Sequence, residues 1–213
     1  MKKREPPRSP EQAEQRRVRS GHIRNRDADL LEASLGKLPT PSKPPAVVVM
    51  VGLPGSGKSH LARLIATRVG AVQLDSDALR KALYKEPRHT EQEHRRLFPA
   101  LHVLMERLLE RGLTVIVDAT NLKEANRKPY YRIAAKYGAP VFLVRTWAPS
   151  AVIRQRLADR ESERPAHDYS TATLEVYQKM RLDAERVRKR HVSVDTSRDV
   201  KAAVDRIVSL LQS

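Results

Sequence analysis

The sequence predicts an α/β domain of three layers, with helices on both faces of a five-stranded parallel sheet. Two observations carry this expectation. From residue 46 onward, short β-branched runs alternate with longer segments of helical periodicity, as strands joined by crossover helices do. The residues able to do chemistry also gather just past the C-terminal ends of those runs, where ligands bind in such sheets.

Each element has its own reason. Ala46–Val51 is an unbroken apolar run ending at Gly52, as a strand buried on both faces would end. Ser59–Arg68 sets Leu61, Leu64 and Ile65 on one helical face. Ala71–Leu74 predicts a short strand, and Asp77–Tyr84 a short helix. Thr90–Arg111 predicts a long helix, since Leu97, Leu101, Leu104 and Leu108 recur at spacings of three and four before Gly112. Leu113–Val117 is a strand leading to Asp118, and Lys123–Tyr137 is a helix halted by Gly138. Val141–Thr146 is the fourth strand and Ser150–Arg160 the helix after it. A charged loop over Arg160–Asp168 leads to a helix over Ser170–Lys189. Val192–Val194 completes the sheet, and Val200–Leu211 is the final helix.

Residues 1–45 differ from the rest. Prolines flank them (Pro6, Pro7 and Pro10, then Pro39, Pro41, Pro44 and Pro45), Ser9-Pro10-Glu11 reads as a helix start, and Leu30, Leu31 and Leu35 make a short apolar stripe. The expectation is a basic arm, weakly helical or disordered, ahead of a domain over residues 46–213. The 213 residues contain no cysteine, which excludes disulfides, thiolate metal sites and thiol nucleophiles and agrees with a cytoplasmic location. The longest apolar stretch is strand length, far short of the roughly 20 residues a membrane helix needs, so neither secretion nor membrane insertion is expected. Lys and Arg number 41 against 25 Asp and Glu, a net charge of +16. Residues 1–45 hold only 11 of the basic and 6 of the acidic residues, so the surplus lies mainly in the domain. Such charge attracts nucleotides, nucleic acids or anionic lipid heads, although it also serves plain solubility. Aromatics are few, no single-strand stacking platform stands out, and the lone Trp147 reads as a packing residue.

Gly52-Leu53-Pro54-Gly55-Ser56-Gly57-Lys58-Ser59 matches the phosphate-loop pattern and sits between an apolar strand and an amphipathic helix. Its backbone N–H groups and the helix N-terminus form an anion cradle. Lys58 is placed to reach the β- and γ-phosphates of a nucleoside triphosphate, the Ser59 hydroxyl to ligate Mg²⁺, and His60 to flank them. In Asp75-Ser76-Asp77-Ala78-Leu79-Arg80, Asp77 is a candidate to orient and deprotonate an acceptor hydroxyl, with Arg80 one turn later to meet a phosphate. A helix cap with a surface arginine is the plainer alternative. Val115–Asp118 is a Walker-B-like strand whose Asp118 would support the metal. Arg156 and Arg160, four apart on one helical face, are candidates for a lid near residues 154–168, the alternative being a solvated helix face.

With these residues in place, the chain resembles the P-loop kinases grouped with phage-type polynucleotide 5′-hydroxyl kinases and related AAA-like kinase domains. The resemblance spans roughly residues 46–190 through Gly52–Ser59, Asp77–Arg80, Asp118–Asn121 and Arg156–Arg160. It implies the P-loop kinase fold with an arginine-bearing lid, ATP and Mg²⁺ as cofactors, Asp77 as general base, Arg80 on an acceptor phosphate and Arg160 as the lid arginine. His167-Asp168-Tyr169-Ser170-Thr171-Ala172 is similar to the segment that follows the lid in these domains, with Thr171 where Asp is usual. The expected activity is phosphoryl transfer to a hydroxyl, with the 5′-OH end of RNA or DNA leading and a sugar- or antibiotic-like small molecule as runner-up. A nucleic-acid-binding NTPase that phosphorylates nothing and a nucleotide-gated adaptor remain the other classes. The oligomeric state is not legible.

Overall fold

Every residue of β1 (Val47–Val51) is buried, because this strand lies at the centre of the sheet with helices against both faces. The computed structural model describes residues 10–41, 44–162 and 172–212. Around β1 stand β2 (Val72–Asp75), β3 (Val115–Asp118), β4 (Val141–Trp147) and β5 (Val192–Asp195), in the order β2-β3-β1-β4-β5. All pairs are parallel. The helices between them are α2 (Lys58–Val69), α3 (Ser76–Leu83), α4 (Glu91–Glu110), α5 (Glu124–Lys136), α6 (Ser150–Ser162), α7 (Leu174–Leu182) and α8 (Lys201–Gln212), preceded by α1 (Pro10–Ala33). The expected three-layer α/β/α architecture is thus observed, with strand and helix ends shifted by a residue or two as fraying allows.

Alternation along β1 divides the core. Val48 and Met50 face α2 and α8, meeting Leu61, Ile65, Val204 and Ile207. Val47, Val49 and Val51 face the other layer, meeting Leu97, Leu101, Leu104 and Tyr130 of α4 and α5. A smaller apolar cluster joins Ile153 and Leu157 of α6 to Tyr177 of α7, with Leu53 of the glycine loop against it. The parallel register places Asp75 directly beside Asp118, so the ends of β2 and β3 present paired carboxylates.

Two expectations need revision, and the arm, expected to be weakly helical or disordered, is helical over Pro10–Ala33. The arm contains one continuous 24-residue helix, α1, whose last turns dock on α4 with Ala28 and Leu31 fully buried. Asp27 supplies the reason: its carboxylate receives Arg96 Nε and Nη2 at 2.8 and 2.6 Å, and Arg107 and Arg111 pair with Asp29 and Glu32 beside it. The helix expected over Ser170–Lys189 ends at Leu182. Beyond it Glu185 N–H donates to the Leu122 carbonyl and Val187 enters the core, so tertiary contacts draw the chain out of the helix. Trp147, expected to pack, is 40% exposed at the end of β4.

Candidate active site

The glycine loop closes on itself and on two distant strands. Gly52 N–H donates to the Thr120 carbonyl at 3.1 Å, and Ser56 N–H to the Leu53 carbonyl at 3.1 Å. A Cβ at Gly52 would stand 2.6 Å from Ser56 Oγ and 2.9 Å from the Thr146 carbonyl, so only glycine fits there. Ser56 Oγ and Thr146 Oγ1 are hydrogen-bonded at 2.8 Å, which marks Ser56 as part of the loop's frame. Gly57, at φ +76°, caps α2, and the N–H groups of the first turn of α2 open toward the loop's mouth. Lys58 Nζ donates to the Leu53 carbonyl at 3.4 Å, across that mouth, with Gly55 and Pro54 buried beneath. His60 is exposed on α2.

The carboxylates at the strand ends have separate duties. Asp75 caps α3, accepting from the N–H groups of Asp77 and Ala78 at 2.9 and 3.2 Å. Burial first, then the neighbouring charge of Asp118, pushes Asp75 up to about 6 against those hydrogen bonds. Asp118 is buried and accepts from Gln73 Nε2 at 2.9 Å. Burial raises its pKa as well, opposed by the charge of Lys58 and by hydrogen bonds from Ser59 and Gln73. Ser59 and Asp118 therefore meet beside Lys58, one hydroxyl and one carboxylate, a donor set that suits a hard divalent cation. Two adjacent carboxylates held above their ordinary range are what such a cation would relieve. Asp77 is the carboxylate left partly open, with 29% of its side chain exposed and Oδ1 4.0 Å from Nδ1 of His89.

Two of the expected arginines are engaged elsewhere. Arg80 is 5% exposed and its Nη1 pairs with Glu93 Oε2 at 3.3 Å, so the structure places it beneath the surface and not out toward a phosphate. Glu93 also accepts the N–H groups of Arg88 and His89 at 2.9 and 2.8 Å. Burial opposes its ionisation, yet these donors and the charge of Arg80 hold it below the ordinary range. This clamp fixes the loop between α3 and α4 and keeps His89 at φ +53°, an uncommon conformation for a residue with a side chain. Arg156 braces the glycine loop from outside, donating to the carbonyls of Gly55 (3.3 Å) and Thr196 (2.6 Å) and to Thr196 Oγ1 (3.0 Å). Arg160 is partly buried in the last turn of α6, while Pro165 to Thr171 lie outside the described residues.

Sequence reasoning missed Glu93, Gln73 and Thr196. Thr196 Oγ1 also donates to the Ser56 carbonyl at 2.9 Å, pinning the loop from the end of β5. No local pattern marks these residues, since each acts on a partner in a different element.

A family model described as AAA domain (AAA_33) matches residues 47–187. No curated protein matches the sequence. Among solved structures, the Mycobacterium tuberculosis APS kinase CysC, in complex with AMPPNP and APS, superposes with a TM-score of 0.63 at 20% identity, covering 81% of this chain and 100% of that one. Chaetomium thermophilum Kti12, in complex with ADP-AlF3, gives 0.63 at 18% identity, covering 78% and 97%. A gluconokinase from Sinorhizobium meliloti 1021 gives 0.54 at 22% identity, covering 80% and 98%. These likenesses establish a P-loop kinase-like fold.

Proposed function

Since this chain belongs to the AAA_33 family of AAA domains, we propose that it is an ATP- and Mg²⁺-dependent kinase acting on a hydroxyl acceptor. One observation carries the reading: among three acids at the ends of β2 and β3, only Asp77 is neither capping a helix nor buried against Ser59. The acceptor oxygen attacks the γ-phosphorus, the bond to the β,γ-bridging oxygen breaks, ADP departs, and the hydroxyl proton passes to an Asp77 carboxylate oxygen. The loop's N–H groups and Lys58 hold the triphosphate, with Arg160 as the lid cation expected to meet the transferring charge. Ser59 and Asp118 would hold Mg²⁺, which when bound neutralises phosphate charge.

For the acceptor, the surplus of +16 favours the 5′-OH end of a polynucleotide. A small-molecule acceptor is the second reading, favoured by likeness to an APS kinase and a gluconokinase. Incubation with γ-labelled ATP and panels of 5′-OH RNA, 5′-OH DNA and sugars separates the two. Label in sugars alone ends the polynucleotide reading. Asp77→Asn should lower transfer by about 100- to 10,000-fold while calorimetric ATP affinity stays within a few-fold. Unchanged turnover in Asp77→Asn would instead indicate an NTPase that needs no acceptor.

A further inference from the structure

A pocket of about 150 Å³ opens between α4 and α5, outside the groups assigned so far. Its floor is Ala119, Thr120 and Asn121, the residues directly after Asp118. Thr120 is also the residue whose carbonyl receives Gly52 N–H, so the pocket begins where the phosphate loop begins. The floor is rigid: Asn121 Nδ2 donates to the Met50 carbonyl at 2.9 Å, and the buried Arg127 donates to the Asn121 carbonyl at 2.6 Å.

One wall is a stripe of α4, with His94, Phe98 and His102 spaced by four. The other is the first turns of α5, with Ala125 and Asn126 exposed at the mouth. In a chain of net charge +16, no Lys, Arg, Asp or Glu is among the described residues that line this space. The pKa of each imidazole is lowered from its ordinary value. Burial and then Arg80 lower His94, while burial and then Arg132 bring His102 to about 4, against a smaller raising effect of Glu106. One wall is aromatic: the His94 and Phe98 rings pack 4.2 Å apart between centroids, tilted by 38°. His102 Nε2 is buried out of reach of solvent, and the accessible polar side chains of the lining include half-buried Thr120 and exposed Asn126. A cavity of about 150 Å³ is enough for one six-membered ring.

We infer that this pocket binds a single uncharged ring bearing hydroxyl or amide groups, the part of the acceptor that anchors it beside the phosphate loop. This deepens the kinase reading and rests on it. The ring belongs either to a free sugar or to the terminal nucleoside of an oligonucleotide, and one experiment tells them apart.

Saturation-transfer NMR on the full chain, with ribose, uridine, a 5′-OH uridine dinucleotide and gluconate as probes, gives the first readout. Neutral probes should bind, and Ala125→Trp, which fills the mouth from an exposed position, should weaken them about tenfold or more. Should that variant misfold by circular dichroism, Phe98→Leu, which removes an aromatic ring from the wall, takes its place with the same expectation. Binding of ribose identifies a free sugar; binding of uridine and the dinucleotide without ribose identifies a terminal nucleoside. The inference is overturned if no neutral probe binds, if gluconate binds tighter than all of them, or if both variants bind like the wild type. Label transfer from γ-labelled ATP is measured separately. Transfer that Ala125→Trp leaves undiminished removes the pocket and spares the kinase reading. Ring binding lost in Ala125→Trp, with no transfer to any probe, keeps the pocket and sinks the kinase reading.

Discussion

The glycine loop and the face beside it that is proposed to take the acceptor are built by opposite means. The loop is made of backbone: Gly55 and Gly57 turn at positive φ, and Gly52 lets the chain approach Ser56 and Thr146 more closely than any Cβ would allow. The acceptor face is made of side chains from α3, α4, α5 and the turn after β3, held by the Glu93 clamp and by Arg127. A backbone device depends on a few positions where a Cβ is forbidden. A side-chain device depends on buried ion pairs, whose loss exposes uncompensated charge. The two halves should therefore fail differently when damaged.

The largest effect on stability should come from Glu93→Ala. It leaves the Arg80 guanidinium and two N–H groups without their partner in a buried place, costing about 3 kcal/mol or more. Thermal or urea unfolding measures this, and nucleotide affinity of the folded fraction should barely move. A matching loss of ATP affinity would show that loop and acceptor face are one unit.

A smaller effect is pH-dependent. His102 is held near 4 in the folded chain against 6.5 in an unfolded one. Its neutral form is favoured by folding, so the contribution is complete above 6.5 and is lost as pH falls from there through about 4. The wild type should lose about 2 kcal/mol over that range from this group, allowing for its partial exposure. The difference in unfolding free energy between wild type and His102→Gln, followed from pH 7 to 4, isolates it; a constant difference would mean that the imidazole is not shielded from protonation.

Next comes Gly57→Ala, which should strike the loop alone. The added Cβ would meet Thr196 Cβ and Oγ1 at 3.0 Å, on a residue already at φ +76°. Mg·ATP affinity should fall about tenfold by calorimetry, a cost of 1–2 kcal/mol, while the acceptor face stays intact. The smallest change is expected of Asp29→Ala on α1. Its carboxylate is 65% exposed, so removing its 2.7 Å pair with Arg107 should alter stability by less than about 1 kcal/mol.

The same division explains what could be read in advance. Gly52 to Ser59 is legible because its function is written in consecutive residues, and the five strands because apolar runs fall between turn residues. Asp118 was legible as a strand end, but its Gln73 partner lies 45 positions away on the neighbouring strand. Thr196 stands 140 positions after Ser56, and the 3.6-residue period says nothing about such pairings. Arg80 illustrates the limit best: one turn after Asp77 it reads as a cation placed to meet a phosphate, and the pairing with Glu93, thirteen positions on, that draws it inward is not written in that pattern.

Arg96 is held by Asp27 on one side and lies over the Tyr84 ring on the other, 5.2 Å from its centroid. The leading helix is thereby geared to the tail of α3 through one shared cation. Trimming the chain to begin after Glu32 would do more than shorten it: the tooth that meshes with Tyr84 would turn idle, and the shift would be felt on the segment that carries Asp77.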